Sequence, residues 1–68
     1  MVLFVNGNSA SAEAVELAMA AKKQGVQVKI ETIHSEYALG DYRPPVLEVP
    51  GRSTPVQGLP NIRRQLFS

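Results

Sequence analysis

The sequence predicts an α/β (α+β) fold, a mixed four-stranded sheet with helices packed on it, on three observations. An apolar run, Val2-Leu3-Phe4-Val5, opens the chain. An alanine-rich helical stretch then leads into a strictly alternating segment, Val26 to Glu31. Near the C-terminus, Pro50-Gly51 separates two further extended stretches. Strand, helix and strand in direct succession make a βαβ unit, with parallel strands and a right-handed crossover. Two extended stretches joined by a turn pair make an antiparallel hairpin. The expected order is β-α-β, a short α, then β-β-α, in one domain spanning residues 1–68.

Each element has its own reason. Val2 to Val5 is short, apolar and closed by Asn6-Gly7-Asn8, which suits a strand buried on both faces. Ser9-Ala10-Ser11 is a small polar cluster of the kind that caps a helix. Ala12 to Gln24 is rich in Ala, Leu, Glu and Lys and holds neither Gly nor Pro, the composition of a strong helix. Glu13 and Glu16 near its start and Lys22 and Lys23 at its end complement the helix dipole. Gly25 stands where a left-handed terminating residue belongs. Ala14, Val15, Ala18 and Ala21 share the face expected to lie on the sheet.

In the second strand, Val26, Val28 and Ile30 alternate with Gln27, Lys29 and Glu31. One face is therefore apolar and the other solvated, as at a sheet edge. His34 to Asp41 suits a short helical turn closed by Gly40. Arg43-Pro44-Pro45 then forces extended backbone. Val46 to Val49 reads as a third strand and Arg52 to Gln57 as a fourth, which Pro55 confines to an edge. Leu59 to Phe67 closes the chain as a helix, with Ile62 and Leu66 one turn apart on its buried side. Pro60 falls in its first turn and Asn61 is a capping residue.

Composition excludes several classes of function. The 68 residues contain no cysteine, so disulfides, thiolate metal sites and thiol catalysis are ruled out. A single histidine gives no multi-histidine zinc site, and no cofactor or metal is expected. Seven Lys/Arg against six Asp/Glu leave a net charge of +1, too balanced for a nucleic-acid or membrane-surface protein. No apolar run approaches the roughly 20 residues that span a bilayer. Met1 to Gly7 lacks a basic leader, so a cytoplasmic location is expected.

The element order resembles the thioredoxin-like fold in its smallest form, the glutaredoxins. It is most similar to the short glutaredoxin-like proteins that feed electrons to ribonucleotide reductase. Three places carry the resemblance. The first is the opening strand, loop, helix, Gly25 and alternating strand. The second is Pro44-Pro45-Val46-Leu47, where that fold sets its cis-proline and third strand. The third is Gln57 to Leu66, similar to the family's Gly-aromatic segment and closing helix.

The family's Cys-x-x-Cys, however, would fall on Ser11-Ala12-Glu13-Ala14, with neither sulfur present. Redox work needs a thiolate at a helix N-terminus. Dithiol exchange is therefore chemically impossible, and the chain is expected not to be an enzyme. The family also uses the amide of the residue before its cis-proline to hold a peptide or glutathione. If Pro45 is the cis residue, its predecessor Pro44 has no N–H; if Pro44 is, Arg43 supplies that amide.

The resemblance implies that three loops converge on one groove. This gives the candidate binding residues Asn8, Ser9 and Ser11, then Arg43, Pro44 and Pro45, then Gly58 and Asn61. The expected function is a redox-inactive interaction or regulatory module that binds a protein partner, of a size that suits a small phage-type inhibitor. The alternative is an anion or glutathione-like peptide held by Ser9, Ser11 and Asn61 at the first helix tip. Against it, plain helix capping explains the same residues. A Ser–His hydrolase using Ser9 or Ser11 with His34 ranks last, because nothing evident orients the histidine.

Arg43, Arg52, Arg63 and Arg64 make the second half more basic, either as solvated surface or as contacts for an anionic patch on a partner. Tyr37, Tyr42 and Phe67 suit either core cover or interface anchors. The half-polar second strand also allows a homodimer paired edge to edge.

Overall fold

A computed structural model describes residues 1–35 and 38–68. Tyr37, and with Glu36 part of the expected turn from His34 to Asp41, lie outside the described residues. The elements are β1 (Val2–Val5), α1 (Ser9–Lys23), β2 (Lys29–Thr32), β3 (Val46–Glu48), β4 (Val56–Gln57) and α2 (Leu59–Leu66). They form a mixed four-stranded sheet in the order β2-β1-β3-β4. β1 pairs parallel with β2, Leu3 opposite Ile30, and antiparallel with β3, Leu3 opposite Leu47. β3 pairs antiparallel with β4, Val46 opposite Gln57. No helix among the described residues is long and apolar enough to cross a membrane.

α1 begins earlier than its composition suggests. Asn8, not a serine, is the N-cap, and its side chain accepts from the Ser11 N–H at 2.7 Å. The first turn therefore contains Ser9 and Ser11, and Glu13 and Glu16 lie beyond it. At the other end the Gly25 amide donates to the Lys22 carbonyl and the Val26 amide to that of Ala21. This is a Schellman closure, and Gly25 at φ 91° supplies its left-handed residue.

That closure also explains why β2 is shorter than its alternating run. Val26 is committed to the helix end. The ladder starts only where β1 offers a partner, with the Lys29 amide donating to the Met1 carbonyl at 2.8 Å. The alternation itself persists: Val28 is buried and Ile30 is packed against the core.

One cluster forms the core. Ala14, Ala18 and Ala21 of α1 and Ile62 and Leu66 of α2 pack on Leu3, Val5, Leu47 and Val56. Alanine on the packed face removes side-chain bulk and brings α1 close to the sheet. Both helices cover the same sheet face. Val2 and Phe4, which alternate with Leu3 and Val5, are only half-buried. The expectation that β1 is buried on both faces is therefore corrected, because no helix among the described residues covers its second face.

The hairpin strands are also shorter than expected. Val49 leaves the ladder to accept from the Arg52 amide in the turn at Pro50-Gly51. Pro55 has no N–H to extend β4, which keeps only Val56 and Gln57. Gly58, at φ 85°, is the N-cap of α2. Asn61 is thus inside the helix rather than its cap, and its Nδ2 donates back to the Gln57 carbonyl at 3.0 Å.

Candidate functional site

The strand register sets the frame. Val5 and Thr32 are parallel partners, Phe4 faces Val46, and Val46 faces Gln57. One end of the sheet therefore carries, in spatial order, the segments after β2, after β1, before β3 and after β4. These are Ile33-His34, Asn6 to Asn8, Arg43 to Pro45, and Gly58 onward.

Within that end, a network holds the first loop. The Ser11 hydroxyl accepts from the Asn6 N–H at 3.1 Å and donates to Asn6 Oδ1 at 3.2 Å. The same Oδ1 accepts from the Asn8 N–H at 2.9 Å. Asn8 Oδ1 caps the helix, and its Nδ2 donates to the Pro44 carbonyl at 3.1 Å. One asparagine thus ties the tip of α1 to the proline segment. The Pro44–Pro45 peptide bond is cis, so of the two alternatives the cis residue is Pro45, and its predecessor has no amide to donate.

Ser11 is 1% exposed and its hydroxyl is fully engaged with Asn6. It is part of the loop's framework rather than a surface for a ligand, which corrects its placement among the contact residues. Ser9 is exposed, as are Asn8, Arg43, Gly58 and Asn61; Pro44 is half-buried and Pro45 buried.

A cleft of about 250 Å³ opens at this end between Asn6, Asn8, His34, Arg43 and Pro44. It unites Asn8, Arg43 and Pro44, and it adds Asn6 and His34. Neither Ser9 nor Ser11 lines it, so the serine–histidine pair is not assembled there. Gly58 and Asn61 also lie outside it; Asn61 lines a separate surface beside Pro55 and Gln57.

Asn6, which the sequence places only within the loop that closes β1, joins the cleft. The available signal was the parallel pairing itself, which sets the residues following β1 and β2 side by side. Among the described residues, no three His, Asp or Glu side chains converge as metal ligands. A larger groove of about 750 Å³ runs between α1 and α2, with Glu13 and Glu16 on one wall and Arg63 and Arg64 on the other.

Among the described residues, what the sheet end offers chemically is the Arg43 guanidinium, loop backbone and a histidine. Arg43 has no ion-pair partner among the described residues, where Lys29–Glu31 at 2.8 Å is the one ion pair. Neither Ser9 nor Ser11 shares the sheet-end cleft with His34. Compared with known protein families, curated proteins and solved structures, the chain has no match in any of the three.

Proposed function

We propose that this chain is a non-enzymatic protein-interaction module, a thioredoxin-like, glutaredoxin-like scaffold without its sulfurs. It binds a protein partner through the end of the sheet that carries Asn8, Arg43, Pro44 and Gly58. The observation that carries the reading is the Asn8 Nδ2 bond to the Pro44 carbonyl. It ties two loops far apart in the chain to one another, and pre-organised loops lose little entropy on binding. Arg43 beside them, with no ion-pair partner among the described residues, supplies a guanidinium for a carboxylate of the partner. The mixed sheet order and the position of the prolines against the first helix tip support the scaffold assignment.

The anion-binding alternative is the weaker reading. Asn8 Oδ1 already takes the Ser11 amide, and Asn61 is engaged with Gln57. The test is affinity capture from an extract of the source cell, with wild type and Arg43→Glu side by side. A stoichiometric partner held by wild type and lost from a folded Arg43→Glu supports the reading. A blank with wild type, or equal capture by both, refutes it.

A further inference from the structure

We propose that the groove between α1 and α2 is a homodimer interface, closed by a second copy of this chain about a two-fold axis running along the groove. The inference goes beyond the partner surface at the sheet end and adjoins it only at Leu59 and Pro60.

Glu13 and Glu16 stand on the α1 wall, Arg63 and Arg64 on the α2 wall. All four are exposed. None has an ion-pair partner among the described residues, so the acidic and basic walls face each other across the groove without contact. Leu17, Leu59 and Phe67 lie between them. Phe67 is 38% exposed, one of two large apolar side chains left in solvent among the described residues.

Such a face is self-complementary in one orientation only. Rotation about an axis along the groove brings the α1 wall of one copy over the α2 wall of the other. Glu13 and Glu16 on the rim of one copy then meet Arg63 and Arg64 on the rim of the second, twice over by symmetry. Rotation about an axis across the groove would set acid on acid and base on base. Charge pattern therefore selects both the occupant and its direction. An unrelated ligand would have to carry the same two-sided pattern, whereas a second copy carries it by construction. A chain of this length also has a thin core, and association buries more apolar surface.

The experiment is analytical ultracentrifugation of the full chain over micromolar to millimolar concentration. It uses wild type, a Glu13→Arg/Glu16→Arg variant and an Arg63→Glu/Arg64→Glu variant, with helical content checked by circular dichroism. Wild type is expected to dimerise. Each variant is expected to raise the dimer dissociation constant by about a hundredfold or more, because like charges then oppose one another. An equimolar mixture of the two variants is expected to dimerise again, since every wall in the heterodimer meets its opposite. That mixture also reads a variant that folds poorly alone.

A wild type that stays monomeric throughout overturns the proposal and leaves the groove to a different molecule. So does a dimer indifferent to both reversals, which would use another surface such as the β2 edge. So does a mixture that fails to re-associate.

Discussion

The side chain of Asn8 donates from Nδ2 to the carbonyl of Pro44 at 3.1 Å, across 36 positions of sequence, while its Oδ1 caps the first helix. One residue thus starts α1 and fixes where the proline segment lies against it. The two roles are separable. Asn8→Ala loses both and should cost about 1–2 kcal/mol in urea denaturation. Asn8→Asp keeps the capping oxygen, gains a favourable charge at the helix N-terminus and loses only the donor. It should lie between wild type and Asn8→Ala. Equal stability of all three would show that the bond contributes nothing.

Ser11 and Ser9 should behave differently despite lying two positions apart. Ser11→Ala strands the Asn6 amide and removes a donor to Asn6 Oδ1 in a buried site. A loss of about 1–3 kcal/mol is expected. Ser9 is exposed and outside the network, so Ser9→Ala should stay within about 0.5 kcal/mol of wild type. Denaturant titration of the two variants reads the difference.

These two serines mark where sequence reading succeeds and where it stops. The helix itself, its Gly25 terminus and its alanine face were legible because each is a local pattern. So were Ile62 and Leu66, one turn apart on the buried side of α2. The choice of cap was not. Asn8, Ser9 and Ser11 are all good capping residues, and the contact that favours Asn8 is made with Pro44, which no local rule sees. The strand ends were blurred for a similar reason. Val26 keeps the alternation of a strand, yet a Schellman closure claims it, and the ladder with β1 begins at Lys29. The groove was invisible because Glu13 and Glu16 read as dipole partners and Arg63 and Arg64 as solvated surface. Only the packing of α1 beside α2 sets them across from one another.

Ile62 is the α2 residue on which packing depends most plainly, being fully buried against the sheet. Ile62→Val should cost about 0.5–1.5 kcal/mol and Ile62→Ala about 2–5 kcal/mol. In a domain of this size the second loss is a large part of the total stability. Thermal unfolding should show a reduced midpoint for the valine variant and a broad or absent transition for the alanine variant.

The Lys29–Glu31 pair gives a prediction with a sign. The hydrogen bond from Lys29 to Glu31, and then the charge of Glu31, hold the Lys29 ammonium above the ordinary lysine value. A raised folded pKa contributes stability that is fully present below the unfolded pKa and is lost as pH rises through the folded one. Both side chains are well exposed, so the contribution is small and weakens further with salt. Glu31→Gln should lower the Lys29 pKa in an NMR titration and leave the unfolding midpoint at neutral pH nearly unchanged. A Lys29 titration that does not respond to Glu31→Gln would contradict the pairing.

Under the proposed reading, a protein partner is held at the end of the sheet that carries Asn8, Arg43, Pro44 and Gly58. Hydrogen–deuterium exchange on the chain with its captured partner tests it most directly. Protection is expected at the amides of Asn8 and Ser9, of Arg43 and of Gly58, with the outer edge of β2 unchanged. Protection confined to β2 or to the β3–β4 turn, with those three segments exchanging as in the free chain, would contradict it.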